Sequence, residues 1–200
     1  MEIKDIINNV NVYGLEQSVI GSKYPMSTDL SKLNDEVTKT VVALATSRAG
    51  EGHDNFLNGV IVQFDLTFSN KAWVEAERYH FLDFISSQST MHRITKFDLD
   101  KAYMEEVDPR VVEIMKEKVA EYNQIASENQ YDERLKRKYL EILYTNPAGF
   151  RITAKMTTNY RQLKTIYKQR RTHRLNEWKI FCSWCETLPH AEFIIGKEKV

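Results

Sequence analysis

The densest group of residues able to do chemistry is a basic run late in the sequence. Seven side chains between residues 161 and 174 are cationic or become so on protonation: Arg161, Lys164, Lys168, Arg170, Arg171, His173 and Arg174. Arginine donates two parallel hydrogen bonds from a planar fork, which suits phosphate and uracil-like oxygens. The run predicts an anion site. A solvated helix face paired with acidic residues, or a surface that binds RNA without sequence preference, are the alternatives.

A second polar run covers residues 86–93 (Ser-Ser-Gln-Ser-Thr-Met-His-Arg) and follows an apolar stretch. Its hydroxyls, amide and guanidinium can hydrogen-bond a nucleotide, and Gln88, Ser89 and Arg93 are the candidates. The alternative is an ordinary helix end, whose last carbonyl groups are satisfied by Ser and Thr. Composition leaves both interpretations open.

The other reactive side chains do not assemble into a catalytic set. His53 follows a glycine in a short polar segment that also holds Asn58, and a single loop histidine is more often structural. No nucleophile with a neighbouring base and no Gly-rich phosphate loop can be recognised. Cys182 and Cys185 form a C-x-x-C pair inside a helical pattern. This pattern predicts two core thiols, since a zinc site needs further ligands nearby. We therefore predict no metal and name no catalytic residue.

Length and charge narrow the class of protein. The chain of 200 residues is long enough for a real core, and we expect a single domain over residues 1–200. The 28 basic and 28 acidic residues give a formal net charge of zero. This balance argues against a dedicated binder of nucleic acid or anionic membranes. Because no run of about 18 apolar residues and no signal-peptide core occur, we expect a cytoplasmic protein without a membrane span.

The elements that must position these residues follow from periodicity. Alternation of apolar and polar residues over 60–68 predicts a strand with one apolar face. Helices are predicted from Asp108-Pro109, from Thr158-Asn159, and over residues 35–49, 71–87, 133–143 and 178–188. The predicted fold class is α+β, helix-rich with a small sheet.

Order and spacing of several segments resemble the flavin-dependent thymidylate synthases over most of the chain. Gly52-His53 matches the Gly-His turn of that family, and Asn58 stands where the family has a Glu. The strand and helix predicted over residues 60–87 follow in the family's order. The late element is the most specific, because the family's N-x-R-S-L…L-R steps are kept by Asn159, Arg161, Leu163 and Arg170.

The resemblance implies a small, mostly antiparallel sheet and a homo-oligomer, a tetramer, with nucleotide sites at subunit interfaces. The implied reaction is reductive methylation at C5 of dUMP or a related pyrimidine nucleotide, with FAD, methylenetetrahydrofolate and NADPH. Carried over residue by residue, the flavin-binding residues would be His53, Asn58, Asn159 and Arg161. In the same way, Arg93 and Arg170 would bind the nucleotide. Gln88 and Ser89 of the second polar run and Arg171 of the basic run are the further candidates for nucleotide binding.

The family's central signature, R-H-R-x7-S on a helix, is absent from residues 71–93. If Arg93 is aligned with the arginine that closes the family's helix, residues 81–83 (Phe-Leu-Asp) occupy the R-H-R place. If His80 is aligned with the signature His, Ser89 recovers the Ser but Arg93 loses register. We prefer the first alignment because it keeps the phosphate contact. Both alignments remove cations that would hold flavin and nucleotide.

These observations leave an enzyme and a binding protein as hypotheses. The first is a divergent enzyme of this family. The second is a catalytically inactive, nucleotide-binding or sequestering homo-oligomer with the same fold. An RNA binder that uses residues 161–174 is a third and weaker interpretation, so we expect no nucleic-acid partner.

Overall fold

The computed structural model describes residues 1–48 and 50–196 of the chain. Over these ranges the architecture is α+β, with nine α-helices, two of them a single turn, and one four-stranded sheet. The predicted class, helix-rich with a small sheet, is confirmed. None of the helices in the described ranges is long and apolar enough to cross a lipid bilayer.

The sheet has the spatial order β1-β2-β4-β3, so β1 and β3 are its edges. Its strands are β1 (Ile7–Tyr13), β2 (Ile61–Ser69), β3 (Asp83–Ser87) and β4 (Arg151–Asn159). β1 pairs antiparallel with β2, and Val12 lies opposite Val62. In β2, alternate side chains from Val62 to Phe68 are buried and those between them are half-buried, which confirms the strand predicted from alternation.

The helices lie before, between and after the strands. They are α1 (Leu15–Ser22), α2 (Lys39–Ala45), α3 (Asn70–Ala76), α4 (Thr90–Arg93), α5 (Pro109–Glu128), α6 (Arg134–Thr145), α7 (Tyr160–Arg170), α8 (Asn176–Cys185) and α9 (Glu192–Ile195). α5 begins where Asp108-Pro109 predicted it, and Asp108 Oδ1 accepts a hydrogen bond from the Arg110 N–H at 2.9 Å. The helices predicted over residues 35–49, 133–143 and 178–188 are present with shifted ends as α2, α6 and α8; residue 49 lies outside the described residues.

The helix predicted over residues 71–87 is wrong in its second half. α3 ends at Ala76, the chain turns, and β3 follows with Phe84 and Ile85 at its centre. Aromatic and β-branched residues favour strands, and this local preference wins where the apolar face of the helix runs out. Just after β3, the Gln88 N–H donates to the carbonyl of Thr153 in β4 at 2.9 Å. The polar run of residues 86–93 therefore follows a strand, not a long helix.

β4 was not predicted. Its residues follow the Pro-Ala-Gly turn and were assigned no element. Polar and apolar residues do alternate from Arg151 to Thr157, but the apolar positions hold only Ile152, Ala154 and Met156, a shorter and weaker apolar face than that of β2. α7 begins at Tyr160, directly after this strand, with Asn159 as its N-cap. The predicted helix start near residue 159 is thus confirmed. The element before it is a strand with one buried face.

The chain divides into two compact units. Unit 1 comprises Met1–Leu66, Ala76–Ser86 and Lys155–Val200, and unit 2 comprises Thr67–Glu75 and Ser87–Ala154. That the chain acts as one domain stays a prediction.

The core of unit 1 is rich in aromatic rings. Phe64 and Trp184 lie 4.6 Å apart between ring centroids, and Phe181 lies 5.1 Å from Trp184. Cys182 and Cys185 of α8 are free thiols buried in this core, which confirms the prediction of two core thiols.

The core of unit 2 is centred on Phe150, with α5 and α6 packed as a pair. Phe97 and Tyr103 contact the Phe150 ring edge to face at 5.1 and 5.4 Å. Met115 of α5 and Ile142 of α6 are fully buried in the same cluster. The segment around residues 95–133 matches no motif of the resembled family. It contributes Leu99, Met115 and Val119 to this cluster.

Candidate functional site

The late motif lies where β4 passes into α7, in unit 1. Asn159 Oδ1 accepts a hydrogen bond from the backbone N–H of Gln162 at 2.8 Å, and Asn159 is buried. The backbone N–H of Tyr160 donates to the carbonyl of Val60 at 3.0 Å. The asparagine of the motif therefore fixes the start of α7, satisfying one of the amide groups that a helix leaves open at its N-terminus.

The first arginine of the motif is paired with a buried carboxylate. Arg161 Nε lies 3.2 Å from Oδ1 of Asp54, and Lys164 Nζ lies 2.7 Å from Oδ2. The Asp54 side chain is 4 % exposed, whereas that of Arg161 is 37 % exposed. Lys164 Nζ also donates to the carbonyls of Ala45 and Ser47 at 2.7 and 2.8 Å. The Asp54 carboxylate therefore links α7 to the 3-10 turn Asn55–Gly59, which directly follows Asp54. Lys164 also links α7 to the end of α2.

His53 precedes the buried aspartate, and Asn58 lies in the 3-10 turn Asn55–Gly59. Both side chains are exposed, and within the described residues neither has a hydrogen-bond partner. The turn packs against α7. The four residues predicted to bind flavin therefore belong to two segments of unit 1: His53 and Asn58 lie before and within the 3-10 turn, and Asn159 and Arg161 lie at the N-terminal end of α7.

Arg170, at the other end of α7, is nearly buried among aromatic rings. Its Nε donates to the hydroxyl of Tyr79 at 2.6 Å. Its guanidinium carbon lies 5.4 Å from the ring centroid of Tyr79 and 4.9 Å from that of Trp178. A cation over two aromatic faces is held by the ring quadrupoles as well as by the hydrogen bond. The neighbouring Arg171 is exposed.

The remaining predicted nucleotide-binding residues belong to unit 2. Gln88 is bound to β4 through its side chain as well, because its Oε1 accepts from the Thr153 N–H at 2.9 Å. Ser89 is half-buried at the N-cap of α4 and makes no capping bond there. Arg93 is exposed at the end of α4. Arg170 belongs to unit 1 and Arg93 to unit 2, so their convergence on one ligand stays a prediction.

A groove of about 410 Å³ opens beside Arg93. Its lining combines basic, aromatic and amide side chains, among them His92, Arg93, Lys96, Tyr122, Asn123 and Tyr139. A second groove of about 470 Å³ shares His92 and both tyrosines and adds Lys136. Apart from Arg93, sequence reasoning missed these lining residues because they come from α4, α5, α6 and the 3-10 turn Ile94–Lys96, which are separate in the chain. In the sequence, Tyr122 and Tyr139 lie in segments that match no motif of the resembled family, so nothing marked them as parts of a site.

By sequence, no family model and no curated protein matches the chain. By structure, it is similar to the flavin-dependent thymidylate synthase ThyX from Helicobacter pylori, solved in complex with FAD and dUMP. The TM-score is 0.68 at 13 % identity, and the match covers 99 % of both chains. The chain has the fold of the flavin-dependent thymidylate synthases. It is also similar to the UMP/dUMP methylase PolB from Streptomyces cacaoi, solved with 5-Br dUMP, with a TM-score of 0.52 at 15 % identity over 90 % of this chain and 89 % of that one.

Within this thymidylate synthase fold, the place of the absent signature is not helical. In the preferred alignment, residues 81–83 take the R-H-R place: Phe81 is 53 % exposed, Leu82 is buried, and Asp83 begins β3. In the other alignment, His80 lies in the turn before β3. Neither alignment places a cation on a helix at this position.

Proposed function

We propose that this chain is a reductive methyltransferase acting at C5 of dUMP or a related pyrimidine nucleotide, with FAD, methylenetetrahydrofolate and NADPH. The observation that carries the proposal is the match of the whole chain to a thymidylate synthase fold, together with the late motif at the start of α7. Asn159 and Arg161 keep the spacing of that motif, and α7 packs against the 3-10 turn Asn55–Gly59, which comes shortly after the Gly-His pair in the sequence.

The residues around the 3-10 turn fit a flavin by their chemistry. His53 and Asn58 offer exposed ring nitrogens and an amide that have no partner within the described chain. Arg161 presents a part-exposed guanidinium whose Nε is oriented by Asp54. Bound flavin supplies the hydride, and the protein supplies binding and orientation. In this proposal His53, Asn58, Asn159 and Arg161 bind the cofactor. The ion pair with Asp54 holds the Arg161 side chain in position.

The proposed nucleotide-binding residues are Gln88, Ser89 and Arg93 in unit 2, and Arg170 and Arg171 in unit 1. Guanidinium groups match phosphate and the pyrimidine carbonyl oxygens by paired hydrogen bonds. Preorganised donors stabilise charge that develops on a reacting ring better than donors that must first reorient. Arg170 meets this requirement because Tyr79 and Trp178 hold it before a ligand arrives.

We extend the proposal to a cytoplasmic homo-oligomer, a tetramer, in which β3 contributes to the interface. All five residues of β3 are exposed, although the strand carries apolar side chains. Ile85 is 51 % exposed, and Phe81 just before the strand is 53 % exposed. An exposed, apolar edge strand offers unpaired backbone groups to another chain, and soluble proteins usually cover such an edge. A second copy of this chain is the proposed cover.

The second candidate function is nucleotide binding without a reaction. The observation in its favour is the chain at residues 81–83, where an exposed phenylalanine, a buried leucine and an aspartate stand in place of the signature's cations. RNA binding is disfavoured because Arg161, Lys164 and Arg170 are held by groups of their own chain.

Three measurements on the purified protein separate these functions. Visible absorbance after addition of FAD tests flavin binding, and H53A is compared with H190A, an exposed histidine in the segment before α9. Calorimetric titration tests dUMP binding. Release of tritium from C5-labelled dUMP under reducing conditions tests the reaction. If the chain is the proposed enzyme, we expect flavin absorbance, dUMP binding and tritium release. Flavin binding should be weaker in H53A and unchanged in H190A. Tight dUMP binding without flavin or tritium release favours the second candidate, and absence of dUMP binding overturns both.

A further inference from the structure

The grooves of unit 2 collect the basic side chains that lack an acidic partner. On α5, α6 and the loops beside them, most cations are paired with carboxylates; Lys116, for example, binds Asp100 and Glu113, and Lys138 binds Glu121. Among residues 87–145, which span α4, α5 and α6, the basic side chains without a carboxylate at ion-pair distance are His92, Arg93, Lys96 and Lys136. All of them line the two adjoining grooves.

This distribution points to an anion. The lining of both grooves contains no Asp or Glu. Like charges held near one another repel, and the lining of these grooves supplies no carboxylate to neutralise them. Arg93 and Lys96 are both exposed, and both line the groove of about 410 Å³. A phosphate monoester, which carries close to two negative charges at neutral pH, matches two such cations.

The aromatic wall of the groove is fixed in place. Tyr122 and Tyr139 contact each other edge to face, with ring centroids 5.3 Å apart. The Tyr139 hydroxyl donates to the carbonyl of Thr90 at 3.3 Å. Burial raises the pKa of Tyr139, and this tyrosine lines the same groove as Arg93. An aromatic wall next to cations suits a ligand with a planar ring and an anionic end.

An amide completes the lining. Asn123 donates through Nδ2 to the carbonyl of Thr95 at 3.3 Å, so its amide plane is held. Its side-chain oxygen accepts no hydrogen bond from the described residues. A fixed amide with a free acceptor can receive a ring N–H, such as that of uracil.

We infer that this groove is the nucleotide site of the chain: the phosphate lies between Arg93 and Lys96, and the pyrimidine lies against Tyr122 and near Asn123. The inference rests on the proposed function, since it takes the pyrimidine nucleotide from there. It adds residues from α5 and the segment after α4, for which the family resemblance offers no motif. Lys96 and Tyr122 thereby become further nucleotide-binding residues.

The test compares dUMP and deoxyuridine, which lacks the phosphate, by calorimetric titration. Lys96→Gln removes one cation from an exposed side chain, and Lys101→Gln is its control, because Lys101 is exposed in the same unit but paired with Asp98. We expect K96Q to weaken dUMP binding by about tenfold or more, the usual effect of losing a charge-assisted hydrogen bond. Deoxyuridine binding should be equal in K96Q, K101Q and the wild type.

A second variant adds charge instead of removing it. Ser127→Asp places a carboxylate in the groove lining, and Ser183→Asp places one on an exposed position of α8 in unit 1. We expect S127D, but not S183D, to weaken dUMP binding. If the wild type binds dUMP and both K96Q and S127D bind it equally well, the groove is not the nucleotide site while the proposed function stands. If the wild type does not bind dUMP, the proposed function fails and this inference fails with it.

Discussion

The side chain of Arg170 donates its Nε–H to the hydroxyl of Tyr79 across 2.6 Å, and the two residues are 91 positions apart in the chain. The Tyr79 hydroxyl in turn donates to Oε1 of Gln169 at 3.0 Å, which leaves its oxygen to accept from the arginine. The second arginine of the late motif is therefore held by its own chain before any ligand binds. This arrangement stabilises unit 1 and presets the direction of the guanidinium.

Replacement of Tyr79 by Phe should keep the ring under Arg170 and remove the acceptor. Because a hydrogen bond to a charged group is lost in a nearly buried place, we expect the free energy of unfolding to fall by about 2 kcal/mol. Urea unfolding followed by tryptophan fluorescence measures it. Tyr144→Phe is the control, since Tyr144 is 86 % exposed and should change stability little. Equal stability of Y79F and the wild type would show that the hydrogen bond has no net effect.

Replacement of Asp54 by Asn should destabilise the protein more. The change leaves Lys164 and Arg161 without their shared carboxylate, which is 4 % exposed. Removing one partner of a buried ion pair typically costs about 3 kcal/mol or more. The matched control is Asp98→Asn, whose exposed pair with Lys101 should contribute less than about 1 kcal/mol. Urea unfolding measures the loss of stability in both variants. A free energy of unfolding for D54N that is equal to or higher than that of D98N would contradict this prediction.

The two thiols of α8 should make stability fall in alkali. Burial raises the pKa of Cys182 to about 12 and the pKa of Cys185 well above its usual value. In the unfolded chain, thiols ionise near a pKa of about 8.5, so below that pH they leave stability unchanged. As pH rises further, the unfolded state loses protons that the native state keeps. Each thiol then lowers stability by up to about 1.4 kcal/mol per pH unit.

The measurement compares urea unfolding of the wild type and of a C182A/C185A variant between neutral and alkaline pH. The difference between their slopes isolates the thiols from the tyrosines and lysines, which titrate in both proteins. Native protein should also resist labelling by a thiol reagent that labels both cysteines in urea. Fast labelling of the native protein would contradict the burial of these side chains.

A charge placed on β3 should dissociate the proposed oligomer. Ile85→Lys puts a cation on the exposed edge strand, and Ile114→Lys puts one on α5 at a similarly exposed apolar residue. Light scattering coupled to size exclusion should give a lower mass for I85K and an unchanged mass for I114K, because edge lysines block strand pairing. A wild type that elutes as a monomer, or an I85K that keeps the wild-type mass, would rule out this interface.

Several local features were readable from the sequence because their causes are local. The period of two in residues 60–68 specified β2, since alternate side chains on a strand face opposite sides. Asp108 and Pro109 specified the start of α5 through capping and a fixed backbone angle. The Asn159 motif identified the start of α7 and pointed to the fold that the structure shares with the thymidylate synthases.

Only the tertiary structure decided what the charges do. The basic run of residues 161–174 predicted one anion site, yet Arg161 is paired with Asp54 and the Arg170 guanidinium lies over the rings of Tyr79 and Trp178. The helix predicted over residues 71–87 ends at Ala76, and the chain then enters the sheet as β3 beside β4, a strand from a distant part of the sequence. Periodicity records which face of an element is apolar. The partner of a charge comes from a distant part of the chain, and no local pattern encodes it.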